Sequence, residues 1–305
     1  MNEFDMIKQY FQDPQLHFPH PNVRFGIGDD CASILPDENH ELVFSMDTLV
    51  DGVHFLQTSN SFDIGTRALC VTLSDLAAMA ATPIGFTLAL TIPEAHSTWL
   101  QGFSQGLAEI AQRFHCPIVG GDTTRGPHCV ITIQVHGQVK KGKALMRSGA
   151  KPGDKVFVSG DLGDGAGALS QVLENPLDST GLAQRYFQPL PEIEFAQAIQ
   201  SYATSGMDIS DGLLQDLEHI CRASQVGMMI DPESIPMSAD LIDKVGYQRA
   251  MKFALTGGDD YRLVYTAPDC AHGIQIGEVV AEPKSVNVSG LDADDLLSTG
   301  YQHFR

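Results

Sequence analysis

The spacing of apolar residues along this chain switches repeatedly between a period near two and a period near three and a half. In the first half, Glu41–Met46, Ile84–Ile92 and His128–Val139 alternate or are rich in β-branched residues, which predicts strands. Asp63–Ala81 and Ser97–Phe114 carry apolar residues at helical spacing, the first stopping before Pro83. Residues 3–11 predict a short helix and Pro117–Val119 a short buried strand. In the second half the pattern predicts strands at Lys155–Ser159, Met207–Ile209, Val226–Ile230, Tyr261–Tyr265 and Ile274–Val280. Helices are predicted at Gly163–Leu173, Pro191–Tyr202, Gly212–Ser224 and Met251–Leu255. Interleaved helices and strands in both halves make the class mixed α/β or α+β.

Between the halves, Lys140–Asp154 is basic and holds Gly142, Gly149, Pro152 and Gly153, which marks a domain junction. The expected domains are therefore 1–139 and 140–305. A length of 305 residues gives each half enough chain for its own core.

Composition then narrows the partners. A hydrophobic content of 43% with 19% charged residues describes a soluble globular protein. The net charge of −19 argues against nucleic acid and against an anionic membrane surface. It leaves ATP open, provided that metal ions carry the phosphates. The start Met1-Asn2-Glu3-Phe4-Asp5 has no signal-peptide character, and apolar runs such as Ile84–Ile92 are too short to span a bilayer. Cysteines at 31, 70, 116, 129, 221 and 270 form no Cys-x-x-Cys, so reduced thiols in a cytoplasmic protein are expected.

The chemistry lies in six segments that set aspartate beside small residues: Gly28-Asp29-Asp30-Cys31, Ser45-Met46-Asp47, Ser74-Asp75, Gly120-Gly121-Asp122, Asp208-Ile209-Ser210-Asp211-Gly212 and Gly257-Gly258-Asp259-Asp260. Any one alone reads as a turn, or as a cap at a helix start for Asp75 and Asp211. Together they offer hard oxygen ligands of the kind Mg²⁺ takes, on backbone that lets a ligand approach closely. Gathered by a fold, they would make a multi-metal site for a polyphosphate.

Other motifs carry less. Gly160-Asp161-Leu162-Gly163-Asp164-Gly165-Ala166-Gly167 resembles a phosphate loop but lacks Gly-Lys-Ser/Thr, and reads better as a strand-to-helix turn. Lys140, Lys141, Lys143, Arg147, Lys151 and Lys155 are mostly a solvated linker. Arg147 is the one suited to bidentate phosphate contact. His54 lies just beyond Asp47 and Asp51, which makes it a candidate for substrate contact. No nucleophile–base spacing points to covalent catalysis.

Taken in order, the segments resemble the thiamine-monophosphate kinases, a family of the aminoimidazole-ribonucleotide-synthetase-like superfamily. The resemblance rests on Gly26–Ala32, Asp47–Phe55, Leu73–Met79, Gly120–Gly126, Arg147–Asp154 and Asp208–Gly212, and covers nearly the whole chain. It implies a two-domain fold of class α/β plus α+β, whose N-terminal domain binds metal and ATP and adds its sheet to a homodimer barrel, beside a C-terminal α+β domain. It implies magnesium ligands at Asp30, Ser45, Met46, Asp47, Asp75, Asp122, Asp208 and Asp211. It implies ATP contacts at Gly121, Asp122, Arg147 and Ser210, and substrate contacts at His54 and Asp259. Three positions depart from the family pattern. Met46 replaces a threonine, so only its carbonyl can serve a metal. Asp259 replaces a glutamate. Ser298-Thr299-Gly300-Tyr301 replaces a segment that carries a tryptophan.

The activity this implies is ATP-dependent phosphorylation of thiamine monophosphate to thiamine diphosphate by direct in-line transfer, with several Mg²⁺ ions as cofactors. The acceptor is already a phosphate, with a second pKa of about 6, so it needs no strong general base. The obstacle is repulsion between two anions, which suits a site rich in carboxylates and poor in histidine. Two relatives that activate an oxygen with ATP fit less well. A selenophosphate synthetase would want a reactive cysteine near the N-terminus, and a hydrogenase-maturation protein would end in cysteine. This chain has no cysteine before Cys31 and ends Tyr301-Gln302-His303-Phe304-Arg305. A non-catalytic sensor of nucleotide or thiamine phosphate is the rival from another class.

Overall fold

A computed structural model describes residues 3–178, 180–269 and 272–290. The chain divides into two compact units. One takes residues up to Leu76 together with Ala81–Gly142; the other takes Ala77–Ala80 together with the residues from Lys143 on.

The first unit is built on β1 (His40–Val50), α1 (Ser61–Ala78), β2 (Thr82–Ile92), α2 (Ser97–Arg113), β3 (Ile118–Arg125) and β4 (Val130–Lys140). The sheet order is β1-β4-β2-β3. β4 runs antiparallel to both β1 and β2, whereas β2 and β3 are parallel and joined through α2. Ile131, Ile133 and Val135 of β4 and Ile84, Phe86, Leu88 and Leu90 of β2 face inward and are fully buried or nearly so. Leu76 of α1 reaches Gly137 on that same face. The other face is open. Leu42, Phe44 and Met46 alternate along the edge strand β1 and are 42%, 64% and 61% exposed.

Two elements here differ from the sequence pattern. β3 is eight residues long and runs straight through Gly120-Gly121-Asp122, which reads as a turn. Parallel pairing with β2, with Leu88 opposite Gly121 and Ala89 opposite Asp122, supplies the hydrogen bonds that local propensity does not. A Cβ on Gly121 would lie 2.0 Å from the Leu88 carbonyl oxygen, so this close pairing requires glycine. Residues 3–11 form a short α-turn, Glu3–Met6, that widens into a π-helical turn, Ile7–Phe11.

The second unit centres on β5 (Lys155–Val158), α3 (Asp164–Glu174), β6 (Ser205–Asp208), α4 (Leu213–Ser224), β7 (Gly227–Ile230), β8 (Leu263–Ala267), β9 (Ile274–Val280) and β10 (Val286–Val288). The order is β10-β7-β9-β5-β8-β6, antiparallel throughout except between β10 and β7. Val156, Val158, Leu213, Leu217, Ile220, Met228 and Ile276 belong to one buried core between the sheet and α4. Helices at Ala183–Phe187 and Ala239–Val245 are too short to declare a periodicity; the second is announced only by its cap, Ser238 Oγ accepting the Leu241 N–H at 3.1 Å. No helix among the described residues is long and apolar enough to cross a membrane.

Candidate active site

In the first unit, β1 and α1 bring three oxygen-bearing side chains together. Ser45 and Asp47 lie two apart on β1 and so share a face. The Ser45 hydroxyl donates to Asp75 Oδ2 from α1. Asp47 is pushed up to about 6, first by burial and then by the charge of Asp75; a hydrogen bond from Thr72 pulls the other way. Asp75 lies in the last turn of α1, which contains no basic residue. This corrects its expected place at a helix start. A carboxylate there meets the negative end of the helix dipole, at a cost of about 0.3–1 kcal/mol, and has no orphan N–H to cap. Two carboxyl groups are thus crowded together at a helix end with no basic residue in its last turn, an arrangement that suits a cation.

The same unit has a cavity of about 300 Å³ whose lining includes Asp29, Asp30, Gly121, Asp122 and Thr123. Its floor is β2 and β3, and the turn before Ser33 forms a wall. Asp29 Oδ1 accepts the Asp30 N–H, and Asp122 Oδ1 accepts the Thr123 N–H, so each carboxyl is tied to the backbone next to it. Along the sheet, Gly121 falls in the register row of Asp47 and Ile133, and Asp122 in the row of Thr48 and Thr132. His54 is half-buried. Its Nδ1 accepts the Val50 N–H at 3.0 Å, so the ring proton of the neutral form sits on Nε2. The buried Arg67 donates from Nε to the His54 carbonyl at 3.3 Å and holds this turn in place.

The second unit gathers Asp208, Ser210, Asp211 and Arg147. Asp208 ends β6 and is buried. The turn that follows wraps around Asp216 of α4. Asp216 Oδ2 accepts the N–H groups of Ser210, Asp211 and Gly212 at 3.0, 3.2 and 3.1 Å. Burial, then Asp208, then Asp211 push Asp216 up to about 8. Asp211, Asp216 and His219 place one ligand atom each within 4.8 Å of one another. The His219 pKa is lowered by burial and by the charges of Arg147 and Arg222, while Asp211 pulls it the other way, so Arg147 and Asp211 both lie within electrostatic reach of His219.

Asp259 approaches this turn along the backbone, its N–H donating to the Ser210 carbonyl at 2.9 Å. It holds a left-handed φ of 70°. The neighbouring Asp260 turns the other way and accepts the N–H groups of Gly163 and Gly165 at 2.7 and 2.9 Å. The glycine-rich run is thus a strand-to-helix turn whose amides are already engaged by a carboxyl. Asp260 is pushed up to about 7 by burial, with Asp164 and Asp259 adding to the shift.

Comparison with known proteins identifies this arrangement. The pattern of the AIR synthase related protein N-terminal domain matches residues 28–139, and that of its C-terminal domain matches residues 151–288. Thiamine-monophosphate kinase of Salmonella typhimurium is 40% identical over 322 residues, which span 99% of this chain and 98% of that protein. The Escherichia coli K12 protein of the same name is 43% identical, over 89% of this chain and 84% of its own length.

The chain belongs to the thiamine-monophosphate kinase family.

Solved structures of this family agree. The Stenotrophomonas maltophilia kinase superposes with a TM-score of 0.82 at 39% identity, covering 88% of this chain and 92% of that one. The protein AaThiL, solved in complex with AMPPCP and TMP, superposes with a TM-score of 0.81 at 28% identity, covering 99% and 96%. The hydrogenase-maturation protein HypE shares the fold, with a TM-score of 0.75, at 18% identity.

In this family member the aspartate segments point to Asp208 and Asp211 but not to Asp216, which couples to both, and to Asp47 and Asp75 but not to Thr72. Both had a signal. Thr72 lies three residues before Asp75, one helical turn away on the same face; Asp216 lies in the first turn of the helix that follows the Asp-Ile-Ser-Asp-Gly segment. Met46 points its side chain to the open face, away from Ser45 and Asp47, and leaves only backbone near them. The segment Ser298–Tyr301 lies outside the described residues.

Proposed function

We propose that this protein transfers the γ-phosphoryl group of ATP directly to the phosphate of thiamine monophosphate, giving thiamine diphosphate. Family membership over the full length of the chain supports the substrates. The observation that carries the chemistry is the pairing of Asp47 and Asp75, two carboxyl groups crowded at the negative end of a helix. The donors are all oxygens, the set that suits Mg²⁺. Asp30, Ser45, the Met46 carbonyl, Asp47, Asp75, Asp122, Asp208 and Asp211 would hold the ions, which supply charge neutralisation for two anions that must meet.

The remaining roles fall to this chain's own groups. The glycine backbone at Gly121 lets nucleotide lie against β3, Arg147 contacts phosphate through its guanidinium, and the Ser210 hydroxyl orients it. His54 offers an Nε2–H donor to the thiamine phosphate, and Asp259 offers a negative charge to the cationic thiazolium. The acceptor phosphate is itself the nucleophile, and no phosphoenzyme forms. The N-terminal domain, 1–139, binds metal and ATP; residues 140–305 complete the enzyme, which works in the cytoplasm. The open stripe of Leu42, Phe44 and Met46 on the edge strand β1 supports pairing of two copies through this sheet.

Turnover with ATP, Mg²⁺ and thiamine monophosphate tests the reading. Thiamine diphosphate and ADP are the expected products, with inversion at a chiral γ-phosphorus. ADP and free phosphate without thiamine diphosphate would overturn the assignment, and retention of configuration would overturn direct transfer.

A further inference from the structure

Turns with several converging N–H groups ordinarily hold an anion, and a phosphate-transferring protein would be expected to use them on phosphate. Here the turn Ser210–Gly212 has three such groups in a row, and all three point inward to one oxygen of Asp216. Asp216 is 1% exposed, in the first turn of α4, where the helix dipole also favours an acidic side chain. The carbonyls of the turn are engaged as well. Ile209 accepts from the Tyr261 N–H at 2.8 Å and Ser210 from the Asp259 N–H at 2.9 Å. Gln215 Nε2 donates to Asp211 Oδ2 at 3.0 Å and orients that carboxyl. The backbone of the turn is therefore occupied from within, and its side-chain oxygens are what it presents. Asp260 does the same to the Gly163–Gly165 turn, so two loops that look like phosphate cradles are both closed.

We propose that Asp216 is a positioning residue: its carboxyl group closes the amide nest of residues 210–212 and fixes Ser210 and Asp211 so that the turn meets nucleotide through side-chain oxygens only. Phosphate at this end is then held by Arg147 and by cations, not by backbone N–H groups. The inference rests on the kinase reading for its ligand, and on this structure alone for its geometry.

The test compares Asp216→Ala, which removes the acceptor, with Asp216→Asn, which keeps a carbonyl oxygen at the same reach. Hydrogen exchange in Asp216→Ala is expected to speed up about tenfold or more at residues 210–212, with the six-stranded sheet unchanged. The KM for ATP should rise about tenfold while the KM for thiamine monophosphate stays within about twofold. Asp216→Asn should restore most of both. Unchanged exchange at 210–212 in the alanine variant, an equal rise in both KM values, or unfolding of the whole protein by the asparagine variant would each overturn the proposal. Exchange needs no turnover, so a failure of the kinase assignment leaves that arm standing. Normal exchange in an active variant would sink the positioning role and leave the kinase intact.

Discussion

The two units handle acidic groups in opposite ways. In the first, Asp47 and Asp75 lie close enough to repel, Ser45 donates to Asp75 and Thr72 to Asp47, and Asp75 sits at the negative end of a helix dipole. In the second, Asp216 takes three backbone N–H groups and Asp260 takes two, each at the start of a helix. Backbone amides thus occupy buried carboxyl oxygens of the second unit from inside the protein. Acidic clusters that look alike in sequence therefore differ: one crowds two carboxyl groups at a helix end, and the other spends part of its carboxyl oxygens on backbone N–H groups.

The largest effect that could break this contrast is at Asp75. Asp75→Asn should lower kcat/KM about a thousandfold, or about 4 kcal/mol of barrier. Its Tm without Mg²⁺ should hold or rise, because a repulsion is removed. Mg²⁺ should stabilise the wild type more than the variant. Near-normal turnover, or a fall in metal-free Tm, would make Asp75 structural and erase the difference between the units.

Asp259 sharpens the contrast within the second unit, because it sits beside the engaged Asp260 yet points to a different task. Asp259→Ala should raise the KM for thiamine monophosphate about tenfold and the KM for ATP by no more than about twofold. Equal effects on both substrates would move Asp259 into the metal or nucleotide site.

The smallest expected effect is a pH slope. Asp260 is raised from 3.8 to about 7, so the folded protein holds its proton where the unfolded chain has released it. Stability from this group is present below about pH 4 and is lost as pH climbs to about 7. Denaturant unfolding of Asp260→Asn in chelator should therefore gain on the wild type across that window and level off above it. A difference between the two proteins that is constant with pH would mean that the Gly163 and Gly165 N–H groups fully offset the burial.

Much of this was legible in the chain. The order of strands and long helices follows from apolar period, and the aspartate segments were found because carboxylates beside small residues are rare in such density. What escaped notice were partners, not actors. Asp216 and Thr72 carry no motif of their own and Asp260 only shares one with Asp259, because their roles depend on which backbone N–H or carboxyl lies beside them after folding. The length of β3 escaped for a related reason: Pro117–Val119 reads as a strand, but Gly120-Gly121-Asp122 has turn propensity, and only pairing with β2 carries the strand through it.

The sequence by itself determined the mixed α/β class, the acidic oxygen-rich chemistry and the family, since these depend on residue type, period and order along the chain. The tertiary structure alone decided which aspartates are crowded against one another and which are closed off by amides. That choice rests on the direction of a few N–H groups at two turns and on which end of a helix a carboxyl meets. Neither direction nor dipole end is written in local propensity; both arise when distant segments pack.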